Sequence, residues 1–541
     1  MDTSTGQGSA TQGPEPESTW LLTQSTDIVS ATKSSEEEEE HLSGYLAHCG
    51  INNNGSVAQT RKHAEADSVT TTTIVAQEAK RLVKNSTPIV MSYLLEYSFT
   101  FINMYVLGHI GSDELAASGL VNMVIIVFVF SPSIGLAVAL ETFCSTAFTA
   151  SQDKTLVGFH LQRGIIAVTL YFVCISPLLW YLETILLLLN QEPRIAMLCG
   201  SFMRVNMAGA LPWMCYECIK CYLQAQEIMN ASTYILLVVT PLHVVNCYLF
   251  VWSPALGLGF LGAAVSSVLT NWLMLAAIVL CVRYSSARET WGGWTIRAFK
   301  SMPQYFQLAL PSMVMLCAEW WILDLLVLAS SYLGSMTLAA QGIAINTCAF
   351  TYQFADGVGV AVCNRIGNLL GQARARRAKL TAWLGLGMGV VIGVSTLTIA
   401  VCVASWWGSI YSDDPQVVAH VAALMPACAV FQMLDAMNST GSGVLRSLGR
   451  QDAGAPINFV AYYLVGFPLG LYLTYGRPQA GVVGLWYGIG AGVALAVLMQ
   501  QVICVRTDWN CEVKKCMERV SEDTLAFAND NGHEEDEEEE D

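Results

Sequence analysis

A long apolar middle lies between two polar ends. Residues 1–85 are rich in Ser, Thr, Gln and Glu without an apolar period, and residues 507–541 are again polar and acidic. Between them, apolar runs recur at the length that crosses a bilayer, about 20 residues. About twelve such runs are predicted, at 88–107, 115–140, 164–182, 195–222, 234–252, 260–282, 306–333, 338–362, 380–407, 417–445, 457–473 and 482–505. The pattern specifies an all-α polytopic membrane protein. Its expected organisation is a disordered acidic tail (1–85, with at most an amphipathic turn at 75–83), a six-helix N-lobe (86–284), an inter-lobe linker (285–303), a six-helix C-lobe (304–506) and an acidic C-terminal tail (507–541).

The connections between runs differ in charge. One alternate set carries Lys154; Lys220; Arg283, Arg288, Arg297 and Lys300; Arg365, Arg374, Arg376, Arg377 and Lys379; then Arg446 and Arg450, while the other holds little beyond Arg194 and Arg477. The excess of Lys and Arg places the first set, and both termini, in the cytoplasm. The expected location is the plasma or vacuolar membrane, as a multi-pass protein. Composition adds the exclusions. Charged residues are 13% of the 541, against about 25% in soluble domains. The net charge of −16 comes largely from the acidic runs at 36–40 and 534–541, which read as solvated tails. No nucleic-acid partner is expected; the partners are the bilayer and a small molecule, and the chain is expected as a monomer. The 17 cysteines fall mostly inside apolar runs, where Cys is a small hydrophobe. Cys215, Cys218 and Cys221 lack the context of an iron–sulfur run. No Gly-Lys dipeptide, His-Glu-x-x-His or Gly-x-Ser-x-Gly occurs, so neither an ATP-driven pump nor an enzyme is expected, and no cofactor or metal.

A few side chains break the apolar pattern. The run at 311–328 carries Glu319 and Asp324 at its middle. An ionisable residue at that depth costs roughly 2.5–3.5 kcal/mol on insertion scales, so such acids are read as functional. Five residues place them about 140° apart on a helix, so one faces a cavity and the other a neighbouring helix. In the tenth run Gln432, Asp435, Asn438 or Ser439, and Ser442 form a stripe; in the eighth, Asn346, Gln353 and Asp356 do; in the first, Glu96 and Asn103 are one heptad apart. Amides and hydroxyls suit hydrogen bonds between helices. Among the acids Asp435 joins Glu319 and Asp324 as an exchange candidate, with Glu96, Asn346, Tyr352 and Gln432 as further cavity-lining candidates. His243 reads as structural, and Arg204 as snorkelling outward or pairing with a carbonyl.

The chain also repeats. Glu96, Gly111 and Gly119 recur as Glu319, Gly334 and Gly342, at one offset of 223 residues (319 − 96, 334 − 111, 342 − 119), and Gly259-x-x-Gly262 recurs as Gly481-x-x-Gly484. Each unit holds six runs, an even number, so the two units run the same way through the bilayer with a site between them.

Cys317-Ala318-Glu319-Trp320-Trp321, Gly443-Val444-Leu445-Arg446, Ala461-Tyr462-Tyr463 with Gly466-Phe467-Pro468-Leu469-Gly470, Arg365-Ile366-Gly367-Asn368, Thr290-Trp291-Gly292-Gly293-Trp294 and Leu161-Gln162-Arg163 together resemble the eukaryotic branch of the multidrug and toxic compound extrusion family, from about Pro88 to Arg506. Tyr93-Leu94-Leu95-Glu96-Tyr97-Ser98 and Ala139-Leu140-Glu141-Thr142-Phe143-Cys144 resemble fungal members most. The resemblance implies two six-helix lobes around an outward-opening cavity and cation-coupled export of organic cations, other xenobiotics or metabolites. It implies exchange roles for Glu319 and Asp324, matching the two acids around the Glu-Trp-Trp motif, and for Asp435; Tyr352 matches an aromatic of the cavity wall. Where animal relatives place a Glu in the eighth span this chain has Asn346, which removes one cavity charge.

A carboxylate held away from water is costly as an anion, and a proton or an organic cation can each neutralise it. The two therefore compete for one site, which is the chemistry of an antiporter with H+ as coupling ion. Na+ would need further oxygen ligands around the acid and ranks below. The alternatives are export of organic acids or conjugated metabolites, and a lipid-linked oligosaccharide flippase of related architecture, which would favour basic residues in the cavity.

Overall fold

The computed structural model describes residues 71–254, 256–412 and 414–528. The acidic runs and the disorder expected of 1–70 and 529–541 lie outside the described residues. Among the described residues there are helices and no strand. Twelve long helices follow one another: α1 Thr71–Gly108, α2 Ser112–Ala150, α3 Thr155–Trp180, α4 Pro193–Ala225, α5 Asn230–Trp252, α6 Phe260–Tyr284, α7 Met302–Ser331, α8 Ser335–Gly371, α9 Ala375–Trp407, α10 Pro415–Ser447, α11 Gln451–Tyr475 and α12 Val482–Arg506, followed by α13 Trp509–Ala528. Nine of the described helices are long and apolar enough to cross a membrane. The remaining three long ones, α1, α4 and α8, have 38, 33 and 37 residues. They carry Glu96, Glu217, Lys220, Asp356 and Arg365, the polar residues that dilute their apolar runs.

The helices overrun the predicted spans, and the expected tails change accordingly. Residues 71–85 are the first turns of α1 and not a tail. Glu78, Leu82 and Ser86 on one face of them are buried. The expected C-terminal tail begins with α13, whose Trp509, Val513 and Cys516 pack on α8 and α9, while Val520 and Phe527 reach the core of the first half. Asp523 of α13 accepts from Arg163 at 3.0 Å, and Glu512 pairs with Arg450. The linker is docked as well: Gln162 of α3 donates to the Gly293 carbonyl at 2.5 Å and accepts from the Thr295 amide at 2.8 Å. Those contacts bring the Leu161-Gln162-Arg163 and Trp-Gly-Gly-Trp stretches together in the fold.

The repeat in sequence is a repeat in packing. In the first half α2 packs on α3 and α4, α4 on α6, and α5 on α6; in the second, α8 packs on α9 and α10, α10 on α12, and α11 on α12. Gly259 and Gly481 open α6 and α12 with φ of 58° and 61°, a conformation that glycine adopts without strain. The halves also meet by matched contacts. A Cβ on Gly135 of α2 would lie 2.5 Å from Met313 Cα of α7, and one on Gly357 of α8 would lie 3.1 Å from the Val90 nitrogen of α1. Val90 and Met313 are themselves 223 apart (313 − 90).

The prolines shape two helices. α2 widens to a π turn at Ile126–Phe130, and α11 does so at Val460–Gly466, each just before a proline, Pro132 and Pro468. Proline supplies no N–H, which leaves a carbonyl one turn back unpaired. In α2 that carbonyl, Phe128 O, accepts from the Tyr171 hydroxyl at 2.7 Å, and Val127 O accepts from Trp321 Nε1 at 3.2 Å.

Candidate functional site

A cavity of about 430 Å³ opens between the halves, walled mainly by α1, α2, α4, α5 and α6 and completed by Trp320 of α7, Tyr352, Gln353 and Asp356 of α8, and Arg446 of α10. Its charged members are Glu96, Glu217, Lys220, Asp356 and Arg446. Lys220 is 3% exposed and lies 3.2 Å from both oxygens of Glu96 and 2.7 Å from Glu217. The Tyr216 hydroxyl donates to Glu96 at 3.2 Å, and the ammonium stands 4.9 Å from the centre of the Tyr93 ring. On the opposite wall Arg446 lies 3.5 Å from buried Glu141 of α2. Thr142 beside that glutamate donates to the Arg446 carbonyl at 2.7 Å and accepts from Gln451 at 3.0 Å. The pair therefore ties the two halves together at the cavity wall.

Glu319 and Asp435 stand together outside the cavity lining, and Asp356 reaches them from the cavity wall. Glu319 of α7 is 8% exposed, so it faces protein and not lipid. Its Oε2 is 3.4 Å from the Asn438 amide, which also donates to the Tyr462 hydroxyl at 3.2 Å; Gln500 holds the Asn438 carbonyl at 2.9 Å. Asp435, Asp356, Tyr352 and the Arg446 guanidinium lie within electrostatic reach of the Glu319 carboxyl. Its Oε1 is buried without a hydrogen-bond partner of ordinary geometry. Tyr352 joins the two sites: its ring packs edge-on to Trp320 at 6.4 Å in the cavity wall, and its hydroxyl feels Asp356, Glu319 and Asp435. The Glu-Trp-Trp motif thus divides its work. Glu319 turns to α10, Trp320 to the cavity, and Trp321 to the π turn of α2.

Several expectations change. Glu319, Asp324 and Asp435 do not line the open cavity, because the Trp320 and Tyr352 rings occupy the wall at that point. Asp324 is half-buried and apart from the cluster, on another face of α7, with Oδ2 buried and unpaired among the described residues. Of the four cavity-lining candidates, Glu96 and Tyr352 are in the wall; Asn346 and Gln432 are not. Gln432 is buried, pointing across to the Cys348 sulfur of α8 at 3.2 Å, and the Asn346 carbonyl accepts from the Tyr97 hydroxyl at 3.4 Å. Arg204 pairs with Glu183 at 2.6 Å, a carboxylate where a carbonyl or open snorkelling was expected. His243 hydrogen-bonds Thr270 at 2.8 Å, in keeping with a structural part, and also touches the cavity.

Three cations counted as loop charges are buried in helices: Lys220 in α4, Arg365 in α8 and Arg446 in α10. Arg365 grips both oxygens of Glu78, at 2.7 and 2.8 Å, and lies 3.3 Å from Glu227. Glu217, Lys220 and Glu141 belong to the site without being among the residues expected there. A signal existed for the first two: they stand three residues apart inside the predicted fourth run, the spacing of an ion pair on one helix face.

The MatE family model matches residues 88–249 and 311–472. The two matches are displaced by 223 residues (311 − 88), the offset of the internal repeat. The Schizosaccharomyces pombe uncharacterized transporter C4B3.13 is 35% identical over 434 residues, covering 80% of either chain. Protein DETOXIFICATION 17 of Arabidopsis thaliana is 33% identical over 454 residues, covering 83% of this chain and 94% of its own. The crystal structure of the eukaryotic MATE transporter AtDTX14 superimposes with a TM-score of 0.78 at 28% identity, covering 83% of this chain and 100% of its own.

Proposed function

This chain belongs to the MatE family of membrane transporters, and from that premise we propose that it is a secondary active antiporter exporting organic cations, drugs or metabolites in exchange for protons. The observation that carries the reading is the buried Glu319 carboxyl, set beside Asp435 with an amide and a phenol as its nearest partners and one oxygen unpaired. An ionised carboxylate in such surroundings carries a desolvation cost of several kcal/mol. A proton relieves it, and so does a cationic substrate, but not both at once. Exchange of one proton for one monovalent cation moves no net charge, so the driving force is the pH difference, about 1.4 kcal/mol and a tenfold gradient per pH unit. Tyr352 is the physical link, since it touches both the open cavity and the acid cluster. Both termini and the basic connections face the cytoplasm in this reading.

The test is uptake of an organic-cation dye into proteoliposomes with an acidic interior. Wild type accumulates dye in proportion to the pH step; Glu319→Gln does not. Accumulation by that variant at the wild-type rate, or uphill accumulation by wild type without any proton or sodium gradient, refutes the mechanism. Lys220 and Arg446 in the cavity wall favour, as a second reading, export of substrates that also carry an acidic group.

A further inference from the structure

The first turns of α1 carry a feature that the transport reading does not use. Gln77, Lys80, Arg81, Lys84 and Asn85 recur at i, i+3, i+4, i+7 and i+8, which places them on one side of the helix. That stripe walls a second cavity, of about 410 Å³, which Glu227 of the α4–α5 connection and Asn230 at the start of α5 close from the other side. Three cations meet one carboxylate there. Glu227 is already engaged by Arg81 and by Arg365. Lys80 and Lys84 stand one helical turn apart and make no ion pair among the described residues. Like charges at that spacing repel each other, and among the described residues the groove's one carboxylate, Glu227, is already held by Arg81 and Arg365. The groove supplies what a phosphate takes: two free ammoniums, a guanidinium, and amide donors from Asn85 and Asn230. It also lies at the right level. The first apolar run of spanning length opens at residue 88, so Lys84 lies one helical turn before it. Basic residues just outside a span attract anionic headgroups.

We propose that this groove binds a phosphomonoester anion, presented by an anionic lipid headgroup at the face that carries the basic connections. Because the groove is separate from the cavity and the acid cluster, the proposal does not depend on proton coupling.

The experiment uses the full chain in nanodiscs of phosphatidylcholine and a fluorescent short-chain phosphatidylinositol phosphate as probe. Saturable binding is expected, weakened roughly thirtyfold by Lys80→Gln with Lys84→Gln, taking each lysine at its usual contribution near an anionic surface. Dye transport in phosphatidylcholine vesicles should be unchanged in that variant. Arg283→Gln with Arg288→Gln, a pair of exposed cations in another basic connection, is the control for diffuse surface charge and should leave binding within twofold. Soluble inositol phosphate forms the second arm. If it competes only weakly, the lipid is the source; if it binds as tightly as the lipid probe, the groove recognises the same phosphate chemistry from a free ligand. Binding that is not saturable, that survives loss of both lysines, or that falls as far in the control overturns the proposal.

Discussion

Removing Arg365 should open the contact between the two halves. The guanidinium is 3% exposed, with two bonds to Glu78 at 2.7 and 2.8 Å and a third contact to Glu227 at 3.3 Å. Glu78 and Glu227 belong to the first half of the chain and Arg365 to the second. Arg365→Met leaves Glu78 buried with only Arg377, 3.9 Å away, while Glu227 keeps Arg81. Breaking a buried pair by removing one partner costs about 3–5 kcal/mol; the residual partners argue for the lower end. Roughly 3 kcal/mol is about a 150-fold shift in a two-state equilibrium. It falls on the conformation seen here, where the contact is closed, and spares any conformation in which the halves part at this point. Hydrogen exchange read by mass spectrometry should therefore rise at least tenfold in 76–84 and 226–229, with little change in α5 and α11. Glu78→Leu combined with Arg365→Met should be no worse than Arg365→Met alone, because no lone buried charge remains. Unchanged exchange in both segments, or strictly additive losses in the double variant, would refute the assignment.

Further expectations concern separate parts of the molecule. Asp435→Asn should reduce initial dye uptake at least tenfold and Asp324→Asn less, since Asp435 shares the Glu319 cluster and Asp324 does not; the reverse order would reassign the exchange role. Lys220→Met leaves Glu96 and Glu217 together without their cation and should lower stability by about 3 kcal/mol, seen as a fall in melting temperature that Glu217→Gln in the same chain largely restores. Gly135→Ala and Gly357→Ala should each destabilise by about 1–3 kcal/mol through overpacking. Gly119→Ala and Gly342→Ala, whose Cβ positions meet nothing within 4 Å, should be neutral or stabilising by up to about 1 kcal/mol, since alanine restricts the unfolded chain. Asp523→Ala removes the carboxylate that Arg163 holds at 3.0 Å and should speed chymotryptic cleavage within α13, while leaving cleavage after Tyr411 in the α9–α10 connection unchanged.

The apolar runs, the 223-residue repeat and the presence of acids inside helices are all legible in the order of residues. Each of these is a one-dimensional property: apolar length, recurrence at a fixed offset, and a charge where the run should be apolar. Glu319 and Asp435 were visible for that reason, and so was Glu96. Which charges meet is set by how the helices pack. Lys220, Arg365 and Arg446 have the same composition signature as loop cations, and helices that overrun their apolar cores carry them into the interior, where Glu96, Glu78 and Glu141 await them from 124, 287 and 305 residues away (446 − 141 for the last). The walls of the cavity were likewise undecidable from periodicity, because a stripe such as Gln432, Asp435 and Asn438 has width enough to face two neighbours, and packing against Cys348 turned Gln432 away from the open space. Local pattern sets what a helix is; which of its faces meets water, ligand or another charge is settled by the helices around it, through the cost of leaving any of those charges alone.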